Sequence, residues 1–318
     1  MVITNKAKMT AMLLCAGFGQ RLRPLTLKRP KPLFPVLNRS MLSYWLSRLS
    51  DSGIERVIIN AHYQAEMLIE AVNYERSRFS HLEIIVSMEP EILGTGGGLK
   101  AAAKFFNGPF FVVNVDIWSD ISLLSLYKAH MAEVIKPSAT IALIDCPYKA
   151  TVSLDINGRI IGFRSKAPLK GETRRLCGAG LMVLDPEILL KMPEGFSDII
   201  DRLISYWDKG KPIGVFYPKA FWLDMGTVEE YFDLNFRLAS GRRFWGENCD
   251  NNLKFKGAQI EGFLVAEEGA QIFPGAKVKD CVLWREASIG PEAIVTGAIV
   301  AGMVPEKAVI TGGAVVNF

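Results

Sequence analysis

Nowhere in this chain does an apolar run approach the ~20 residues that span a bilayer. The opening Met-Val-Ile-Thr-Asn-Lys-Ala-Lys-Met lacks the apolar centre of a secretion signal. No membrane association is expected, and the cytoplasm is the expected compartment. Cysteine is scarce and odd in number: Cys15, Cys146, Cys177, Cys249 and Cys281 form no C-x-x-C pair, which argues against both a disulfide framework and a cysteine-held metal cluster. Histidine is rarer still, at His62, His81 and His130 only. No G-K-[ST] follows any glycine run, so there is no P-loop. Leu22 stands where a dinucleotide fingerprint starting at Gly17-x-Gly19 would need glycine or alanine. A net charge of +4 over 318 residues, with no aromatic ladder or repeated basic face, gives no footing for nucleic acid or an anionic membrane.

What the chain does have is concentrated near its start. An apolar run from Met9 to Leu14 reads as a buried strand, and it empties into Cys15-Ala16-Gly17-Phe18-Gly19-Gln20-Arg21-Leu22-Arg23-Pro24-Leu25-Thr26, followed by Pro30-Lys31-Pro32-Leu33. Gly17 and Gly19 lack a Cβ and let backbone N–H groups approach a ligand. Arg21, Arg23, Lys28, Arg29 and Lys31 crowd positive charge into the same turn. Small backbone with fixed positive charge suits a triphosphate. Pro30 and Pro32 stiffen the backbone on either side of Lys31 and fix where its ammonium points.

Apolar strand patterns at 9–15, 56–61, 82–87, 110–115 and 138–145 alternate with helical spacing at 40–52, 63–72, 97–106 and 122–134. That alternation predicts βαβ units and a Rossmann-like α/β fold with a mostly parallel, mixed sheet. Residues 147–185 are richer in turns, as at Asn157-Gly158, and in short strands, as expected of a mixed sheet wrapped onto the first, and helical patterns return at 197–209 and 227–239. After Gly241 the character changes. Residues 258–318 are rich in Gly, Ala and Val, and aliphatic residues recur six apart: Ile272 and Val278, Ile289 and Val295, then Val304, Ile310 and Val316. A period of six fits one face of a triangular parallel β-helix, with the register breaking between 279 and 288. The expected division is therefore 1–241 and 242–318.

The glycine loop resembles the signature of the nucleoside-diphosphate-sugar pyrophosphorylases, the sugar-1-phosphate nucleotidylyltransferases, whose pattern runs L-x-[AG]-G-x-G-x-R-L-x-P-L-T and then P-K-P-L. The match spans about twenty consecutive positions. The tail likewise resembles the short left-handed β-helix that many of these enzymes carry. The resemblance implies attack of a sugar-1-phosphate oxygen on the α-phosphate of a nucleoside triphosphate, with pyrophosphate leaving. It assigns Arg21 and Lys31 to the phosphates, and Leu14, Ala16, Gly17, Gly19 and Arg21 to the nucleotide. Bringing two polyanions together calls for charge neutralisation by side chains and a divalent cation, Mg²⁺.

Two carboxylates suit that cation. Asp116 follows the apolar strand Phe110–Val115, at the carboxyl end where α/β sheets bind ligands. It matches the family's [GN]-x-D, with Val115 in place of the usual glycine. Asp224 lies in Phe221-Trp222-Leu223-Asp224-Met225-Gly226-Thr227, similar to W-x-D-x-G-T; the competing reading makes it the cap of the helix that follows. Glu91-Ile92-Leu93-Gly94-Thr95-Gly96-Gly97-Gly98 resembles the L-G-T-[AG]-G base segment, which places the base at Gly94, Thr95 and Gly96 on glycine backbone. On the sugar side, Ala179-Gly180 matches the family's A-G, and Lys166 stands in Ser165-Lys166-Ala167-Pro168 where E-K-P is usual. Loss of that glutamate leaves sugar identity open.

The family branch closest in pattern is mannose-1-phosphate guanylyl transfer, with GTP favoured. Uridylyl transfer from UTP to an amino-sugar phosphate matches almost as well. Hexad coils also carry acyltransferases, but those need a histidine base beside the coils and none occurs in 258–318. A non-catalytic, NDP-sugar-binding regulatory homologue should have lost a metal carboxylate or a phosphate cation, and Asp116, Asp224, Arg21 and Lys31 all stand. No acid, base or nucleophile is clustered in the tail, so its expected part is structural, with a homo-oligomer formed through it. Of Arg23, Lys28 and Arg29, at least two are expected to face solvent.

Overall fold

The computed structural model describes residues 8–133, 135–165, 167–239, 243–245, 248–249 and 255–316. Their packing divides into two compact units, Met1–Gly17 with Trp45–Trp222, and Phe18–Tyr44 with Leu223–Phe318. The boundary expected at 241 and 242 lies outside the described residues; by packing, residues 18–44 and 223–239 group with the C-terminal segment.

The first unit is an α/β fold on a mixed sheet. Thr10–Leu14 pairs in parallel with Arg56–Ala61 on one side and Phe110–Asn114 on the other, and Glu83–Met88 extends the parallel run beyond Arg56–Ala61. Strands flanked on both sides and covered on both faces read as continuous apolar runs, which is why Ala11, Met12 and Leu13 are fully buried. The other half of the sheet is antiparallel and turns on one long strand, Arg174–Leu184. It pairs with Phe110–Asn114, Ala139–Ile144 and Val152–Leu154, and Ile213–Phe216 lies parallel beside Ala139–Ile144. The sequence shows short strands here but not one strand of this length, because Gly178 and Gly180 interrupt it. A register shift between Gly178 and Met182 lets one chain serve three partners, with Gly180 at φ 71°.

Two helices depart from their expected bounds. Ala65–Arg78 runs further than the apolar spacing suggested, and the helix expected at 97–106 starts earlier, at Gly94–Ala101. Three consecutive glycines disfavour helix. Here the first turn is held from outside, since the Gly96 N–H donates to the Ser197 carbonyl at 2.8 Å and the Leu93 N–H to the Glu89 carboxylate at 3.0 Å.

In the second unit the C-terminal strands stack in parallel into successive coils. Ile272, Ile289 and Val304 form one column, Ile260, Val278, Val295 and Ile310 a second, and Ala266, Leu283, Val300 and Val315 a third. All belong to one apolar core or pack against it. The six-residue step therefore moves the chain from one face to the next, and stacked partners lie one whole coil apart. The break expected after 279 is a corner taken in five residues, Val278 to Leu283. Asp280 rounds it in the left-handed region at φ 50°, as Gly297 and Gly312 do in later coils. The last column accordingly takes Val315, correcting the expected Val316. Ile289 sits at the middle of its column with no solvent exposure. Ile289→Ala is expected to destabilise the protein by about 2–5 kcal/mol, read from denaturant unfolding with retained coil signal.

Candidate active site

In the first unit, three chain segments meet at the carboxyl ends of the two central strands. Leu14 stands in register with Asn114, and the Val115 N–H reaches the Leu14 carbonyl at 3.4 Å. Ala16 is buried, whereas Gly17 is exposed, and a Cβ on Gly17 would meet no protein atom within 4 Å. No packing need explains that glycine, as expected where a ligand approaches backbone. Asp116 is half-buried at the end of its strand. Burial, and then the negative charge of Asp116, push the Cys15 thiol well above its ordinary range, so Cys15 is no thiolate nucleophile.

Gly180 abuts the same strand end. A Cβ there would lie 2.8 Å from the Ile117 side chain and 3.2 Å from Asn114 Cβ, and the left-handed φ adds strain. Glycine at 180 therefore lets the long strand press against the Asn114–Ile117 segment that carries Asp116. Ala179 is fully buried, its carbonyl accepting the Trp222 indole N–H at 2.9 Å. Gly180→Ala is expected to lower both thermal stability and turnover by displacing this segment; thermal melts with steady-state assays on the same preparation would check it. Lys166 lies outside the described residues. Its neighbours are pinned, the Ser165 and Ala167 carbonyls accepting from Arg175 at 3.0 and 3.1 Å.

Sequence reasoning missed a buried polar relay between the glycine loop and the Gly94 segment. The Cys15 N–H donates to Asn60 Oδ1 at 2.7 Å, Asn60 Nδ2 donates to Glu89 Oε1 at 2.8 Å, and Glu89 Oε2 takes the Leu93 N–H. Asn60 and Glu89 are nearly inaccessible to solvent. The sequence signal is a polar residue near the end of each of two apolar strands, Asn60 in Arg56–Ala61 and Glu89 just after Glu83–Met88. The glycines of the Gly94 segment also receive a different explanation from the one expected. Gly96, Gly97 and Gly98 are buried against the protein itself: a Cβ on Gly96 would lie 2.8 Å from the Met192 and Ser197 side chains, and one on Gly98 would lie 2.6 Å from Glu89 Oε1. The Thr95 hydroxyl donates to Asp198 Oδ1 at 3.2 Å and accepts the Ile199 N–H at 3.0 Å. Asp198 in turn caps the helix Ile199–Asp208 and bonds Arg164.

The second unit carries the cations and the second aspartate. Gly19 has φ 59°, and a Cβ on it would lie 2.7 Å from the Thr26 methyl, whose hydroxyl donates to the Gly19 carbonyl at 3.1 Å. The turn Lys31–Leu33 follows, with the Phe34 N–H bonded to the Lys31 carbonyl at 3.1 Å. Asp224 ends the short strand Trp222–Asp224 and does not cap the next helix. That task falls to Thr227, which accepts the Glu230 N–H at 3.2 Å, while Glu230 reaches back to accept the Gly226 N–H at 3.0 Å. Arg21 reaches this element: a Cβ on Gly226 would lie 3.0 Å from Arg21 Nη2, so glycine in the Asp-x-Gly-Thr element makes room for the guanidinium.

The three accessory cations part company. Arg23 is exposed. Arg29 is not, being paired with Glu267 at 2.9 Å, and Lys28 lies 4.0 Å from Glu286 with most of its side chain covered. The expectation that at least two face solvent is thus corrected. The partners sit more than two hundred residues away in sequence, beyond what local charge patterning can reveal. Among the described residues there is no cluster of three or more His, Cys, Asp or Glu side chains that could hold a metal. No described helix is long and apolar enough to cross a membrane.

A glycine loop at a strand end, beside a strand-terminal aspartate, and a Lys/Arg turn with a second aspartate are the equipment of phosphate chemistry without a covalent nucleophile. Residues 10–241 match the nucleotidyl transferase family, and the chain belongs to it. It is a nucleotidyltransferase. Among its relatives, the probable mannose-1-phosphate guanylyltransferase 2 of Oryza sativa is 29% identical over 92% of this chain and 86% of its own length. Mannose-1-phosphate guanylyltransferase 1 of Arabidopsis thaliana is 28% identical over 92% of this chain and 79% of its own. The crystal structure of HddC from Yersinia pseudotuberculosis superposes with a TM-score of 0.60 at 20% identity, covering 72% of this chain and 99% of HddC, and it shares the fold.

Proposed function

We propose that this protein transfers a guanylyl group from GTP to mannose-1-phosphate in the cytoplasm, releasing pyrophosphate. The observation that carries the reading is the run of relatives named mannose-1-phosphate guanylyltransferase, four of which align over 92% of the chain. The retained equipment of the site supports it: an open Gly17, Arg21 and Lys31 beside it in sequence, and the two aspartates Asp116 and Asp224 that match the family's motifs. In this reading Leu14, Ala16, Gly17 and Gly19 offer backbone to the triphosphate. The backbone of Gly94, Thr95 and Gly96 lies along the base, held in place by Asp198 and Ser197 behind it. Ala179, Gly180 and Lys166 are the residues proposed for the sugar.

Asp116 and Asp224 are the carboxylates proposed for Mg²⁺, which when bound would neutralise phosphate charge and fix the α-phosphate for attack. The chain's own residues supply positioning and electrostatics. Arg21 and Lys31 draw the two polyanions together and stabilise the charge that builds on the pyrophosphate as the bond to the α-phosphorus breaks. The sugar phosphate is already an anion at neutral pH, so its oxygen attacks without a general base. The tail is proposed to be a left-handed β-helix through which copies of the chain associate.

Incubation with Mg²⁺, each of the four ribonucleoside triphosphates and a panel of sugar-1-phosphates, followed by pyrophosphate release, tests the reading. GTP with mannose-1-phosphate is expected to give the highest kcat/KM. A clear preference for UTP and an amino-sugar phosphate would replace it with uridylyl transfer. No release with any pair, from folded protein, would support the non-catalytic alternative.

A further inference from the structure

The C-terminal coils are built from small aliphatics, yet they place one Trp at the point where the register breaks. Leu283 faces the inside of the coils, so the next residue, Trp284, faces out, but it is fully buried. What buries it is the turn that carries Lys31. The Arg29 guanidinium lies over the Trp284 ring at 4.6 Å from its centroid, and Phe34 meets that ring edge-on at 4.9 Å. The Trp284 indole N–H donates to the Tyr231 hydroxyl at 3.2 Å, and that hydroxyl donates to the Pro35 carbonyl at 2.6 Å. One coil earlier, Glu267 takes Arg29 Nη1 on both oxygens, at 2.9 and 3.0 Å, and accepts the Arg285 N–H at 2.9 Å. Asn235, fully buried, accepts the Leu37 N–H at 3.1 Å.

The segment from Arg29 to Leu37 is thus gripped on both sides of Lys31. Two residues before the lysine, the grip is a charge-assisted bond plus a cation–π contact; three and four residues after it, a buried aromatic pair and a hydroxyl on a carbonyl. Prolines on either side of Lys31 stiffen the short turn but cannot fix it in space. The coil residues can.

We propose that Glu267 and Trp284 are positioning residues for the nucleotidyl transfer, aiming Lys31 at the phosphates through Arg29 and Phe34. The coil segment then contributes to turnover as well as to stability. The proposal rests on the assignment of Lys31 to the phosphates. It also predicts that anything altering the coil around 267 and 284 changes catalysis at a turn more than two hundred residues away in sequence.

The test uses the full chain with Trp284→Phe, which keeps an aromatic ring and loses the N–H, and Glu267→Gln, which keeps shape and loses charge. Each is measured alone and combined with Lys31→Ala. Pyrophosphate release per folded protein is expected to fall about tenfold in either single variant, mainly in kcat, because a small misplacement of a catalytic group is costly. In the Lys31→Ala background the same substitutions are expected to have almost no further effect. The Leu33 and Phe34 amides, bonded at 2.9 and 3.1 Å to the Pro30 and Lys31 carbonyls, are expected to exchange with solvent faster in both variants, a readout independent of activity. Unchanged turnover and exchange in Glu267→Gln and Trp284→Phe would overturn the proposal, as would losses that simply add to that of Lys31→Ala. If Lys31→Ala itself keeps full turnover, the phosphate assignment fails and the positioning proposal with it, an outcome distinct from the other two.

Discussion

Asp116→Asn and Asp224→Asn are each expected to lower pyrophosphate release by about a thousandfold or more at ordinary Mg²⁺, leaving the fold intact. Asparagine keeps the shape and one carbonyl oxygen of each side chain but removes the charge a hard divalent cation requires. The largest single electrostatic groups in other active sites are worth about 10²–10³ in rate, and a cation that neutralises a triphosphate belongs at or above the top of that range. Asp116 lies in the turn after its strand and helix capping falls to Thr227 and Glu230, so the near-isosteric replacements are expected to leave the fold standing. Steady-state assays beside thermal melts separate the two effects. Raising Mg²⁺ should recover part of the activity if the loss is in metal affinity. Full activity of either variant at low Mg²⁺ would remove that residue from the metal assignment.

Lys31→Ala and Arg21→Ala are expected to cost about 3 kcal/mol of transition-state stabilisation each, roughly a hundredfold in rate. Both cations are preorganised, Lys31 by flanking prolines and the gripped turn, Arg21 by the space that Gly226 leaves for it. A preorganised cation acts without reorganisation at the moment of reaction, and its effect belongs in kcat as well as in the KM for nucleotide. Arg23 makes the comparison: it is exposed in the same basic stretch, as Arg21 is, whereas Arg21 lies against Gly226. Arg23→Ala is expected to change turnover only a few-fold, and mostly at low ionic strength, as screening of an exposed charge dictates. A loss in Arg23→Ala equal to that in Lys31→Ala would show that bulk positive charge, not placed cations, carries the effect.

These expectations were accessible from sequence to unequal degrees. Apolar runs flanked by turn residues located the strands Thr10–Leu14, Arg56–Ala61, Phe110–Asn114 and Ala139–Ile144 to within a residue or two, because a strand buried on both faces has no choice but to be continuously apolar. Short strands were legible in 147–185, but not that Arg174–Leu184 is one continuous strand, since only its three partners carry it through Gly178 and Gly180. The same contrast holds in the site. A Cβ on Gly17 would meet no protein atom, whereas one on Gly96, Gly97 or Gly98 would meet residues 192–198 or Glu89, a contact the sequence does not show.

By itself, then, the sequence determined the α/β alternation, the glycine loop with its cations, the two aspartates and the aliphatic coils, because each is written in neighbouring residues or in a short period. Tertiary structure alone decided which charges are occupied and which corners are tight. Arg29 reads as one more cation until Glu267 and Trp284 fold onto it, and the last aliphatic column takes Val315 because a left-handed corner is rounded in five residues. Asn60 and Glu89 become a relay only when the ends of two parallel strands lie side by side. Contacts of this kind depend on which distant segment fills the space beside a side chain, and local spacing carries no record of that.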